Sequence, residues 1–217
     1  MKMNNTVKRF YELRADKVLN TFKIDKIKDC QHLNHWLNYT ELLTPNDNIV
    51  LNMALDRYSR LGDGWNEEEL KMHFISLVLA VADPNIIKVC KTFYERPLTG
   101  IVQGMEIHVI CDCMIAKPDR AGLPNKPYFF LQEYKQAQRF GKTDPEGQML
   151  AAMLLAQETN QDDNPIYGSF IIERHWYLAT FQHNQYCVSQ SYNATIYPEL
   201  AKIVYALRHL KILISNQ

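Results

Sequence analysis

Glu133 and Lys135 close the stretch Pro127-Tyr128-Phe129-Phe130-Leu131-Gln132-Glu133-Tyr134-Lys135. Its apolar run predicts a buried strand, and side chains two apart on a strand project from the same face. A carboxylate and an ammonium are therefore expected side by side where the strand meets polar sequence. Burying such a pair is costly unless the two groups bind or neutralise something. Upstream, Asp112 lies within a second apolar run, Val109-Ile110-Cys111-Asp112-Cys113-Met114-Ile115-Ala116. An aspartate flanked in this way needs a partner. An Asp on one strand and a Glu-x-Lys on the next suit metal-dependent phosphodiester chemistry. The acids offer hard oxygen ligands to Mg²⁺ or Mn²⁺, and the lysine can offset charge in the transition state.

The elements around these residues predict a mixed α/β core with helices covering a central sheet. Residues 5–22 and 31–43 read as amphipathic helices, with Phe10, Leu13, Val18, Leu19 and Phe22 on one face. A helix over 46–61 follows the break at Thr44-Pro45, and another opens at Asn66-Glu67-Glu68-Glu69. After Asp83-Pro84-Asn85 the period changes, and strands are predicted over 86–94, 98–103 and 105–116. A polar loop over 117–126 leads to the strand at 127–135. Pro145 opens a helix to about Gln157, strands follow over 166–173, 176–182 and 186–189, and a last helix covers 197–214. The division expected is an N-terminal helical extension over 1–64 and a second domain over 65–217.

Bulk composition narrows the classes. A chain of 217 residues, 47% hydrophobic and 11% aromatic, can build a substantial core. Lys plus Arg and Asp plus Glu number 24 each, so the formal net charge is zero. That argues against a protein that coats nucleic acid by bulk electrostatics, though not against a local basic groove. Five irregularly spaced cysteines do not form a disulfide framework and suit a reducing, cytoplasmic setting. Cys111 and Cys113, flanking Asp112, are expected to face the packed side of their strand. No apolar leader segment opens the chain and no run of 18 apolar residues occurs, so neither secretion nor membrane spanning is expected.

The order of these motifs resembles the PD-(D/E)XK nuclease superfamily, whose fold is restriction-endonuclease-like. Members place an Asp on one core strand, an acidic-x-Lys on the next, and a helix often carrying a Gln after it. The matching positions are Asp112, Glu133, Lys135 and, in Asp144-Pro145-Glu146-Gly147-Gln148, Gln148. The resemblance covers residues 66–182, departs from the pattern in having Cys111 where a Pro often precedes the Asp, and leaves the first sixty residues outside. It implies that Asp112 and Glu133 hold Mg²⁺ or Mn²⁺, with the Tyr134 carbonyl as a further ligand. Lys135 would orient water and Gln148 would position water or phosphate. A helix glutamate completes the site in some relatives. Helical phase does not choose within Glu67–Glu69, and Glu69 is taken as the third metal ligand. The implied partner is nucleic acid, DNA before RNA, with no membrane, and a homodimer is compatible because many relatives cut both strands as dimers.

The alternative is a nuclease-fold binding or assembly protein without catalysis, suggested by the neutral net charge. Cys30-x-His32-x-x-His35 invites a zinc reading but lacks a fourth ligand, so a packed Cys with two surface histidines is expected. Lys126, Lys135, Arg139 and Lys142 are a candidate phosphate-contacting cluster.

Overall fold

The helices expected over 5–22 and 31–43 are shorter, at Ala15–Phe22 and Gln31–Leu37, and short strands alternate with them. The computed structural model describes residues 7–135 and 141–217. It begins with β1 (Lys8–Phe10), α1 (Ala15–Phe22), β2 (Asp25–Ile27) and α2 (Gln31–Leu37). Three-residue strands carry too little sequence to register a period of two, and Phe10 and Leu13 happen to fit the helical spacing of α1. The next helix, α3 (Pro45–Leu61), starts at a full capping box between Thr44 and Asp47. A second capping box, Asn66 with Glu69, opens α4 (Glu67–Leu70). A π-helical turn at Lys71–Ile75 carries α4 into α5 (Ser76–Ala82).

A meander follows, of β3 (Lys91–Val102), β4 (Met105–Pro118) and β5 (Pro124–Lys135). The two strands expected over 86–94 and 98–103 are one, because the ladder passes over Glu95 and resumes at Arg96 in the same register. Helix α6 (Pro145–Asn160) then crosses over to β6 (Ile166–Ile172), which lies parallel to β5. Strands β7 (His175–Gln182), β8 (Gln185–Val188) and β9 (Tyr192–Asn193) lead to the closing helix α7 (Tyr197–Ser215).

These strands form one mixed, nine-stranded sheet of order β1-β4-β5-β6-β7-β8-β2, with β3 also on β4 and β9 also on β7. Helices flank both faces. On one, α1 and α6 bury Val18, Phe22, Met149, Leu150 and Met153 against the sheet. On the other, Trp36, Leu51, Phe74, Val78 and Leu207 pack from α2, α3, the π turn, α5 and α7.

The first 64 residues are therefore not a separate helical extension. Strand β1 pairs in parallel with β4, and β2 pairs in parallel with β8. Trp36 is fully buried and its indole N–H donates to the Ala206 carbonyl at 2.7 Å. Among the described residues no helix is long and apolar enough to cross a membrane.

The N-terminal segment is tied most closely to α6. Asp144 caps that helix, its carboxylate accepting from Gly147 N at 2.6 Å and also from Ala15 N, in the first turn of α1, at 3.0 Å. Position 147 must be glycine for lack of space: a Cβ there would lie 2.4 Å from the Leu13 carbonyl oxygen and 2.5 Å from Ala15 N. Backbone cannot yield as a side-chain tip can. Gly147→Ala is expected to lower unfolding stability by about 1–3 kcal/mol, the usual cost of overpacking, as read by urea denaturation. An unchanged midpoint would show that α1 and α6 separate freely.

Candidate active site

Hydrophobic phase in β4 slips by one residue at Asp112. Ile107, Val109 and Cys111 enter the core beneath α6, and so do Met114 and Ala116, whereas Cys113 and Ile115 enter the opposite core. Cys111 and Cys113 are both buried, as expected, but on different faces of the sheet. The neighbouring strand slips in step, since Phe93 and Leu98 share the α6-side core. Tyr94 pairs with Cys113 and Arg96 with Cys111, while the ladder skips Glu95 and Asp112 between them. Glu95 takes φ +49°, a conformation that a non-glycine residue adopts at a cost and that often marks functional sites. This shared irregularity releases both acids from the regular alternation.

Asp112 then makes two contacts. The β4–β5 ladder ends at Cys113–Gln132, and the next amide on that side, Tyr134 N–H, donates to Asp112 Oδ2 at 2.7 Å. Oδ1 accepts from Lys71 Nζ at 2.8 Å. Lys71 begins the π turn, a helical irregularity frequent at functional sites. Its ammonium also lies 3.1 Å from Glu95, 3.1 Å from Glu68 and 3.2 Å from Glu67. The contact opens on a cleft of about 310 Å³ walled by Met72, Ile75, Leu79, Tyr94 and Tyr134.

Glu133 is only 1% exposed. Its Oε2 accepts from Gln148 Nε2 at 3.4 Å, and its Oε1 is buried without a hydrogen-bond partner. Burial first, and the Asp112 carboxylate second, push the Glu133 carboxyl well above the ordinary range. Burial raises the Asp112 carboxyl too, but Lys71 and the Tyr134 amide oppose it. Of the two neighbouring carboxyl groups, Asp112 has the donors that favour its carboxylate, and Glu133 is the one pushed furthest toward its protonated form. Lys135, with its side chain 40% exposed, reaches Glu67 Oε2 at 3.5 Å.

The structure brings Asp112, Glu133, Lys135 and Gln148 to one end of the β4–β5 pair. Glu69 points elsewhere: its Oε2 accepts from Asn66 N at 2.7 Å in the capping box. The helix acids that reach the site are Glu67 and Glu68, and of these Glu67 meets both Lys71 and Lys135. The pattern Asn66-x-x-Glu69 is itself a capping-box signature that assigns Glu69 to the helix start. Glu67 and Lys71, four apart, share a helix face. Neither Lys71 nor Glu95 was anticipated, and the Glu67-to-Lys71 spacing was the available signal for the lysine.

The basic cluster is not one cluster. Lys126 sits near the start of β5 and Lys135 at its end, nine residues or roughly 30 Å away along the strand. Arg139 lies outside the described residues. Lys142 lines a separate cleft with Lys8, Arg9 and Tyr11. Cys30 precedes α2 with its thiol 3.5 Å from Thr180 Oγ1, and His32 and His35 are exposed. Among the described residues no three His, Cys, Asp or Glu side chains are already gathered as a metal-ligand set.

Compared with known proteins, the chain matches no family model and no curated sequence.

Glu133 makes folding stability depend on pH. An unfolded glutamate titrates near 4.5, whereas folded Glu133 titrates well above that. Between the two values the folded state holds the extra proton, so stability falls as pH rises. Glu133→Gln abolishes this loss. In chelator, the variant should exceed the parent in melting temperature by a margin that widens from pH 5 to pH 8. A constant margin would mean that Glu133 ionises as easily folded as unfolded.

Proposed function

We propose that this protein is a metal-dependent nuclease that hydrolyses phosphodiester bonds in DNA by a PD-(D/E)XK-type mechanism. The observation that carries the reading is the unpartnered, buried Glu133 Oε1 beside the Asp112 carboxylate. A buried carboxylate oxygen without a donor is costly unless a ligand supplies what the protein does not. The meander β3–β5, the α6 crossover and the parallel β6 support a restriction-endonuclease-like core around it.

The donor set fits Mg²⁺ or Mn²⁺, which prefer carboxylate oxygen. Glu133 and Asp112 would hold the ion, with Glu67, which meets both Lys71 and Lys135, as the helix acid in place of Glu69. The cation supplies polarisation of a phosphoryl oxygen and easier ionisation of water. The protein supplies orientation. Tyr134 N–H fixes the Asp112 carboxylate, and the Gln148 amide fixes that of Glu133. Lys135, on the same strand face as Glu133 and partly exposed, meets charge growing on the phosphoryl oxygens. Free cysteines at all five positions fit the reducing conditions of a cytoplasm.

Purified protein with Mn²⁺ is expected to cleave plasmid or single-stranded DNA. Asp112→Asn, Glu133→Ala and Lys135→Ala should each slow cleavage by about 10²–10³, the scale for loss of one electrostatic contributor. Cleavage undiminished by all three would sink the enzymatic claim. The cleft lined by Lys8, Arg9, Glu12 and Lys142, with Arg9 paired to Glu106, offers backbone phosphates the two ammonium groups of Lys8 and Lys142. Replacing Lys8 and Lys142 together by Ala should weaken DNA binding and reduce the slope of log K against log salt by about one per lysine. An unaltered slope would put the nucleic acid elsewhere.

One observation favours the second reading, a binding or assembly protein of the same fold without catalysis. Lys71 already neutralises part of the acid cluster. Calorimetry separates the two, since a folded protein that takes up no Mn²⁺ fits only the second.

A further inference from the structure

An ammonium donates at most three hydrogen bonds. Lys71 Nζ has four carboxylates within 3.2 Å, those of Asp112, Glu95, Glu68 and Glu67. Its side chain is only 13% exposed, so this is not a surface lysine loosely balanced by solvent. With Glu133 the local count is five carboxyl groups against the two ammonium groups of Lys71 and Lys135.

Two local departures from regular backbone converge on this ammonium. The π turn starts at Lys71, and Glu95 sits at positive φ opposite it. Strand pairing needs neither, and both aim charged groups at one point. Asp112 is shared. One of its oxygens meets Lys71, while its carboxylate also faces the unpartnered Glu133. In sites with two divalent cations the ions lie roughly 3.5–4 Å apart and clamp the reacting phosphoryl group from both sides. A carboxylate flanked by two cation positions is the arrangement such a clamp uses.

We infer that Lys71 is the resident cation of the second position, so that the protein binds a single divalent cation between Asp112 and Glu133 while the Lys71 ammonium stands in for the other. The inference rests on the metal-site reading given above. Lys71 is then a positioning residue that holds Asp112, Glu67 and Glu95 together and fixes the metal count at one. With the ammonium removed, Asp112, Glu67 and Glu95 become a hard oxygen set open to a divalent ion.

The test is the stoichiometry of Mn²⁺ binding to the full chain, by calorimetry and by electron paramagnetic resonance. The parent and Lys71→Arg should bind one Mn²⁺, and Lys71→Met should bind two. Lys71→Met combined with Glu68→Gln, which removes one exposed acid along with the ammonium, serves if the single variant does not fold; it too should bind two. One Mn²⁺ in the parent and in the Met variants overturns this inference and leaves the proposed function standing. Two in the parent does the same. No Mn²⁺ in any of them overturns both.

Discussion

Asp112 ties three elements together through one carboxylate. One oxygen takes the amide that the β4–β5 ladder leaves over at Tyr134, and the other takes the ammonium at the head of the π turn. The carboxylate therefore closes the strand pair, locks the α4–α5 helix onto the sheet edge, and sets where Glu133 stands. Such a contact is worth little as net stability, because taking both charges from water costs nearly what their attraction returns. Its effect is asymmetric. Removing Lys71 strands the buried Asp112 charge at a cost of about 3–5 kcal/mol, whereas Lys71 without Asp112 keeps Glu67, Glu68 and Glu95, so the geometry is specified from the Asp112 side.

That specification gives a reason for the irregularity at Glu95 and Asp112. Strands β3 and β4 could have paired without interruption, and the phase slip at Glu95 and Asp112 brings no packing gain. It moves two acids out of strict alternation and onto a lysine carried by a helix. The same displacement leaves Glu133 opposite Asp112 in an apolar setting, where two ionised carboxylates cannot both be sustained. Charge on one and a proton on the other is the least costly state without a cation. A divalent ion would reverse the preference at Glu133 and meet the oxygen that no donor serves.

The central residues were legible in the sequence because apolar runs make an interrupting charge conspicuous. Asp112, Glu133 and Lys135 were singled out this way, whereas Gln148 came from the family resemblance and the mixed α/β class from the order of helices and strands. The run around Asp112 hid its own phase slip, since apolar residues on both sides of every position carry no period. Glu67 was lost among three successive acids, although the capping rule assigns Glu69 to the helix start. Lys71 was missed because one lysine on an amphipathic helix looks like any solvated residue. Strands β1 and β2 were missed because three residues cannot display alternation; long-range pairing with β4 and β8 makes them strands.

Those two short strands change what the N-terminal segment is for. Gln148 sits one residue beyond Gly147, the position pressed against the Leu13–Ala15 backbone. Asp144 binds the first turns of α1 and α6 with one carboxylate, so the two helix starts cannot shift independently. Strand β1, just before α1, is in turn hydrogen-bonded to β4, the strand that carries Asp112. A continuous frame thus runs from Asp112 along β4 to β1, through α1 to Asp144, and back to the Glu133 carboxylate by way of Gln148. The β4–β5 ladder sets the register of the acid pair itself, and the first sixty residues hold the start of α6, with Gln148, against it. Strands β5 and β6 seat the body of α6, and the N-terminal segment adds the backbone and carboxylate contacts that pin its first turn.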